Sequence, residues 1–529
     1  MDHFPDRNYS LPCYVLNVLG IQSVKLFITQ SRMHSHFKYR SETRMLDQGC
    51  RRDLADQRSI IMSSEGYAND RPTGHPNTME RRHFLKTAGV TAGLATFLGP
   101  DSFRGVEAAV SETADLTPLE AARDEGLWRE VKRAYTVDRS LINLDNGYAC
   151  PTPRVVTEAF IRYIWEQEQN PYGVFVDMAR DRMSTVKKSV ARQFGSSPDE
   201  IALVRNTTEA LKTVLYGIPL NRGDEVLTTT HDYPSLVRVV RDREQKEGIK
   251  LVEVPVPYPA GSMDELVKAI ENGITSKTRV ILVSHITYTT GQVFPIRQIS
   301  DLAHRHGIEV VVDGAHAVAH LDFKASDLDC DYYGASLHKW LSAPKGTGLL
   351  YMKREHVEKI EPLYGPTMSL RFNPLTSMQK YESVGTQPLP PFLAIGEAVA
   401  FHNAIGPKRK EERLRYLKNY WAERLQSHPK IRVYTPTAPE MSCCIAGVGI
   451  EGADPTGIRD YLWNEHQIRT SRGRYDREDT GRTWVRITPN LYTTLSELDY
   501  FGDVMEEAAE NGLPEPYSRY EFDPERMRR

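Results

Sequence analysis

A lysine sits between a histidine and a tryptophan in SLHKW, residues 336–340, within a stretch that otherwise reads as protein interior: DYYGA precedes it and LSAPKGTGLLYM follows. An ammonium group is rarely buried without a partner, so Lys339 either lies on a surface turn or its amine is used. Asp313 ends the apolar run IEVVV. A carboxylate at such a strand end can keep a heterocyclic nitrogen protonated. A lysine whose pKa is lowered by partial burial can form a Schiff base. Asn206-Thr207-Thr208-Glu209 opens a helical pattern directly after the strand-like EIALVRN. Free backbone N–H groups and two hydroxyls at a helix N-terminus suit a phosphate, and Ser336 and His338, flanking the lysine, could donate to the same group. Each feature alone has a plain structural explanation: a capping pattern, a helix-capping aspartate, a lysine lying along the surface. Taken together, Schiff-base lysine, carboxylate partner and phosphate site are what pyridoxal 5′-phosphate (PLP) requires.

These residues need a scaffold that brings strand ends together. Apolar runs at 200–206, 224–229, 249–256, 278–284 and 308–313 alternate with helical patterns, and DYYGASLHKW and GTGLLYM follow as two strands around a turn. Strands nearly continuous in Val, Ile and Leu, separated by helices, imply an α/β fold with a mainly parallel sheet sandwiched by helices. Ligands in such folds sit beyond the carboxyl ends of the strands, where Thr207, His231, His285, Asp313 and Lys339 fall. After about residue 395 a long helical region leads to IRVYTP, MSCCIAGVGI and RTWVRITPN, a smaller α+β arrangement. The expected organisation is an N-terminal arm (110–145), a large domain (146–394), a small C-terminal domain (395–515) and a tail (516–529). The adjacent Cys443 and Cys444 read as core residues of a strand.

VVVDGAHA, SLHKW, RNTTEAL, ESVGT and VRITPNLYTT together resemble the class V aminotransferase family of fold-type I PLP enzymes, which includes cysteine desulfurases, kynureninase and isopenicillin N epimerase. The resemblance runs from about residue 140 to 510. It implies that Lys339 carries the Schiff base, that Asp313 pairs with the pyridine nitrogen and that His316 lies near the cofactor's phenolic oxygen or the substrate. Thr207, Thr208, Ser336 and His338 would hold the phosphate. Thr386 would reach the phosphate of the other subunit, since these enzymes are dimers with shared active sites. Arg486 would bind the substrate carboxylate in bidentate fashion. For the stacking partner of the ring, THDYPS supplies His231, which matches the desulfurase histidine, and Tyr233, which falls where kynureninase-like enzymes place an aromatic; His231 is preferred.

Desulfurases need a nucleophilic cysteine before the carboxylate arginine, and residues 469–486 contain none. INLDNGYACPTPRVV (142–156) and SHITYTTG (284–291) instead resemble the isopenicillin N epimerase-like branch, with Asn146 expected against the substrate. The expected function is therefore a PLP-dependent enzyme acting at Cα of a small amino acid, epimerase-like. A PLP lyase or transaminase is the enzymatic alternative, and a non-catalytic PLP-binding protein the other.

The net charge of −3 gives no electrostatic reason to expect nucleic acid. No run of about eighteen apolar residues is present to span a membrane as a helix. The six cysteines have neither ligand-like spacing nor disulfide-framework density. His316 and His320, four apart, are read as a cofactor neighbour and a structural residue rather than as metal ligands; His304 and His306 are expected to be exposed at a helix end. Residues 1–78 mix polar, basic and Pro/Gly segments without sustained periodicity and are expected to be disordered or a mis-assigned extension. Residues 79–109 have a basic start, an apolar middle and a small-residue exit. Arg81-Arg82-His83-Phe84-Leu85-Lys86 resembles the twin-arginine export signal, with Glu80 where Ser or Thr is usual. The expectation is export by the twin-arginine machinery to the periplasm or beyond, a start at Met79 and cleavage near Ala108 or Ala109; an amphipathic helix beginning near Met79, with the protein cytoplasmic, is the alternative.

Overall fold

The apolar runs form seven strands: β1 (Ile201–Val204), β2 (Glu225–Thr229), β3 (Lys250–Val254), β4 (Thr278–Ser284), β5 (Glu309–Asp313), β6 (Tyr332–Ser336) and β7 (Gly348–Met352). They make one sheet in the order β1-β7-β6-β5-β4-β2-β3. Only β7 runs against its neighbours; β6, β5, β4, β2 and β3 pair in parallel. A second, antiparallel sheet holds β8 (Ile431–Val433), β9 (Ala446–Ile450), β10 (Arg474–Tyr475) and β11 (Thr483–Ile487) in the order β10-β11-β9-β8. The principal helices are α1 (Ser102–Glu112), α2 (Thr207–Gly217), α3 (Pro234–Glu247), α4 (Met263–Gly273), α5 (Ile296–Arg305), α6 (Ile395–Ile405), α7 (Pro407–Gln426) and α8 (Leu495–Asn511). This computed structural model describes residues 102–174, 179–364, 376–471, 474–475 and 482–519, all within one unit spanning Asn77–Arg529.

The near-continuous apolar strands are explained by burial on both faces. On β4 and β5, Ile281, Val283, Val310 and Val312 join the core shared with α4, α5 and α6. Val280, Leu282 and Val311 point the other way, into the core shared with α2 and α3. The helices start where the sequence provides caps. Asn206 Oδ1 accepts from Glu209 N at the head of α2, Ser262 caps α4, and Thr494 and Glu497 form a capping box on α8. The register sets Ser284 opposite Asp313 and Asp313 opposite Gly334, so the carboxyl ends of β4, β5 and β6 share one rim.

One expectation needs correction. Cys443 and Cys444 are buried but lie in a bend before β9, where Cys444 N–H donates to His320 Nε2 rather than to a strand ladder. From the expected small domain, Met441, Cys443, Cys444, Ile445, Leu491 and Tyr492 pack into the core beneath the large sheet. Finally, the expected cleavage near Ala108 or Ala109 would cut inside α1. Phe103, Val106 and Ala109 are buried there, with Phe103 packed on Phe401 of α6. Ala109 lies on the packed face of this helix, and Ala108 is exposed. The twin-arginine stretch 81–86 and residues 1–78 lie outside the described residues. Among the described residues no helix is long and apolar enough to cross a membrane.

Candidate active site

The rim formed by β5 and β6 holds the lysine and its partners. Chain leaving β6 turns at Leu337–Lys339, and Nζ of Lys339 lies 3.0 Å from His316 Nε2. His316 comes from the turn after β5, three residues beyond Asp313. Trp340 Nε1 donates to His316 Nδ1 at 3.4 Å, which leaves the ring hydrogen of a neutral imidazole on Nε2, facing the amine. Burial, together with the nearby charges of Lys339 and Arg486, drives the His316 pKa well below its ordinary value. Desolvation, reinforced by Arg486 and opposed by Asp313, lowers Lys339 to about 8, so the amine reaches its neutral, nucleophilic form near physiological pH.

Asp313 is buried, and its Oδ1 accepts from Ala315 N at 2.9 Å. Burial raises its pKa to about 6 against the pull of that N–H and of Lys339. The glycine after it is required by a close approach. A Cβ at Gly314 would fall 1.9 Å from the Tyr333 ring, which bonds His285 Nδ1 through its hydroxyl at 3.0 Å.

Thr207 and Ser336 meet at the head of α2. Ser336 Oγ accepts from Thr207 N at 3.0 Å and lies 2.8 Å from Thr207 Oγ1; Thr208 is half-buried beside them. His338 Nδ1 lies 3.0 Å from Thr347 O, leaving its other ring nitrogen for a ligand. His231, at the end of β2, is buried edge-on to Tyr258 at 4.5 Å. Tyr233 is 39% exposed and meets Tyr288 edge-on at 5.3 Å, so it is not a core residue. Thr386 is exposed.

Arg486, on β11, completes the crevice from the second sheet. Its Nη1 donates to Tyr288 O at 2.9 Å and its Nη2 to Asp145 Oδ1 at 2.7 Å. Asn146, expected against substrate, has its amide hydrogens on Asn143 O and Thr488 O, while its Oδ1 accepts from Tyr492 Oη. It is fully buried and steadies the loop rather than presenting a free amide. His320 is structural: stacked on Trp340 at 3.9 Å, it bonds His316 O and Cys444 N. His304 departs from expectation, since it is half-buried with Nε2 2.9 Å from Asp331; His306 is exposed.

Sequence reasoning missed Asp145, one position from the residue it chose, a support of the strand ends beside His231 and a support of the lysine turn. Asp232 accepts from Thr228, Thr229 and Ser284 and so ties the ends of β2 and β4 together beside His231. Lys410, fully buried on α7, donates to the Trp340 carbonyl. A buried lysine in the charged helix PKRKEERLRYLKNYWAERLQ carries no local signal, because its neighbours read as a solvated face.

The sequence pattern of the family described as aminotransferase class-V matches residues 142–501. The chain belongs to the class V aminotransferases. Members of this family are PLP-dependent enzymes, and the residues assembled here fit that cofactor: an anion cradle at the head of α2, a buried carboxylate and an enclosed amine face one rim. Isopenicillin N epimerase of Streptomyces clavuligerus is 28% identical over 392 residues, covering 72% of this chain and 98% of that protein. A probable cysteine desulfurase of Halalkalibacterium halodurans is 27% identical over 389 residues, 70% of this chain and 93% of that one. Among solved structures, the apo cysteine desulfurase from Thermococcus onnurineus NA1 superimposes with a TM-score of 0.65 at 23% identity over 72% of this chain and 98% of its own. This class V member thus shares the fold of desulfurases. It offers no desulfurase-like thiol among the described residues, whose four cysteines are all buried. Burial pushes the thiol of Cys150, which lies nearest the lysine turn, up to about 12.

Proposed function

We propose that this class V enzyme moves a proton at Cα of an amino-acid substrate, in the manner of the isopenicillin N epimerase-like branch. The observation that carries the reading is the enclosed Lys339 amine, lowered to about 8, 3.0 Å from His316 Nε2 and in the same pocket as Arg486. Thr207, Thr208, Ser336 and His338 would hold the phosphate of PLP, His231 its ring face, Asp313 its ring nitrogen and Lys339 its carbonyl carbon. When bound, PLP supplies an electron sink for negative charge at Cα. Arg486 orients the substrate carboxylate. Asp313, as a carboxylate above about pH 6, holds a proton at the heterocyclic nitrogen. Lys339 Nζ takes the proton from the face of Cα it meets, inversion requires a proton returned to the opposite face, and neutral His316 Nε2 steadies the amine.

Buried thiols favour proton chemistry over sulfur transfer to a protein cysteine. A PLP lyase or transaminase remains the second reading, supported by desulfurase-named relatives of similar identity. The test is to incubate the purified protein with a panel of amino acids in heavy water. Deuterium entering Cα without a new product supports the epimerase-like reading; a keto acid or released leaving group without Cα exchange of recovered substrate replaces it with the second.

Two further parts belong to the same reading. Exposed Thr386 suits contact with the phosphate of a second subunit, so a strictly monomeric, fully active protein in sedimentation would count against a shared site. Export through the twin-arginine route, which carries folded proteins, suits an enzyme that binds PLP in the cytoplasm. Burial of Phe103 and Val106 supports a mature N-terminus before Ser102 over cleavage near Ala108 or Ala109, and N-terminal sequencing of the exported protein checks it.

A further inference from the structure

Arg486 is held from two directions. Nη1 donates to Tyr288 O and Nη2 to Asp145 Oδ1, while Nε is buried with no hydrogen-bond partner. The Nε–Nη2 edge is the side on which a guanidinium accepts a carboxylate in bidentate fashion. Gly147 of the Asp145 loop packs on the face of the guanidinium beside that edge. A Cβ at Gly147 would lie 2.9 Å from Arg486 Cζ, 3.0 Å from Nη2 and 3.2 Å from Nε, and Gly147 N–H is fixed to Thr488 Oγ1 at 3.0 Å. Neither the arginine nor the loop has room to retreat, so a carboxylate that reaches Nε comes to rest beside the Asp145 carboxylate.

We propose that Asp145 is a specificity-determining residue: it makes Arg486 discriminate against carboxylates without a neighbouring ammonium group and in favour of amino-acid zwitterions. The inference rests on reading Arg486 as the carboxylate site. Its physics is a difference of two charge interactions. Asp145 repels the ligand carboxylate with which it shares Nη2. It attracts an α-ammonium one bond further on, where Lys339 and Arg486 otherwise leave a surplus of positive charge. A simple carboxylate or a keto acid meets only the repulsion. Asp145 acts on Lys339 as well, opposing the depression that Arg486 causes, so its field reaches the reacting end of the pocket.

The experiment compares two probes on the PLP-loaded protein by calorimetric titration. Propionate carries only the carboxylate; 2-aminoisobutyrate adds the ammonium and has no hydrogen at Cα to lose. Asp145→Asn should tighten propionate by at least about tenfold, since removing a like charge a few ångströms away gains more than it would in bulk water. It should leave 2-aminoisobutyrate unchanged or weaker, so the preference for the amino acid falls at least tenfold. The pH at which the visible absorbance of bound PLP titrates should also move down, since a group that raises the Lys339 pKa has been removed. Asp145→Glu, which keeps the charge, should retain the original preference. Equal changes for both probes, as from an arginine that has merely lost its support, would overturn the proposal. So would an unchanged ratio. Arg486→Met separates this outcome from the underlying reading: if it binds propionate as well as the unaltered protein does, Arg486 is not the carboxylate site at all.

Discussion

Two clusters at opposite ends of the central sheet use the same residue types and do different things. At the carboxyl rim, Asp313, His316 and Lys339 gather at the ends of β5 and β6. At the far rim Asp331, His304, His356 and Lys353 gather at the start of β6 and the end of β7. Asp331 is almost surrounded by donors: His304 Nε2 and His356 Nε2 each at 2.9 Å, Val310 N at 2.8 Å and Lys353 Nζ at 3.6 Å. Burial alone would raise its pKa, but the bonds from His356, His304 and Val310 outweigh that and hold it below the ordinary range. Asp313 is equally buried, has the Ala315 N–H and a more distant Lys339, and is pushed up to about 6. A carboxylate whose partners are all supplied by the protein is structural. One left wanting a cation, beside an amine lowered to about 8, can take up a ligand.

The contrast can be broken most sharply at the two lysines. Lys339→Ala should abolish the visible absorbance of bound PLP and reduce turnover by at least ~10³-fold, at the upper end of what a positioned proton-transfer group contributes. Lys353→Ala should leave both within about twofold, because this half-buried lysine pairs with Asp329 and Asp331 at the rim away from Lys339. Comparable losses in the two variants would erase the distinction.

Next in size are the aspartates. Asp313→Asn should lower turnover roughly 10²-fold with little change in unfolding free energy. Asp331→Asn should do the reverse, costing about 2–3 kcal/mol in urea unfolding as charged hydrogen bonds are lost, with normal turnover of the folded protein. The folded-state pKa of Asp331 is depressed, so its contribution is complete above the unfolded value of 3.8 and disappears as pH falls below it. The stability gap between unaltered and Asp331→Asn protein should therefore close on acidification below about pH 4.

A smaller effect sharpens the role of desolvation. Capture of PLP by the apoprotein needs the neutral Lys339 amine, so its rate should rise between pH 7 and 9 with a midpoint near about 8. A midpoint near 10.5 would mean the amine is solvated. The smallest expected change is at Cys150: Cys150→Ala should alter turnover by less than about twofold, since burial keeps the thiol protonated up to about 12. A large loss, or sulfide released only with Cys150 present, would bring sulfur chemistry back.

Much of the scaffold was legible because its signals are local. β4 and β5 are runs of Val, Ile and Leu that only a doubly covered strand accommodates, and a polar residue directly after such a run, as at Asp313, must sit at the rim. The same reasoning failed where two environments share one composition. Apolar Cys443-Cys444 fits a strand or a buried bend equally well; a histidine at His320 that could accept a backbone N–H decided for the bend. Ala109 of α1 fits a signal exit or a packing face, and in the fold it packs on the core with Phe103, which meets Phe401. In LDNGYA either Asp145 or Asn146 could have faced Arg486, and the hydrogen bonds of Asn146 to Thr488 and Tyr492, more than 300 positions away, turned the aspartate outward.

What the residues alone determined is the chemistry in stock: an amine, a carboxylate and a phosphate cradle, each at the end of an apolar run, in an order that matches class V enzymes. Proximity along the chain is enough for that, because strand ends and helix caps are set within a few residues. Only the tertiary structure decided which charges remain uncompensated. Desolvation and the company of other charges depend on what distant segments bring, and those segments leave Lys339 and Asp313 in want of a partner, supply Asp331 with every one it needs, and set Asp145 against Arg486.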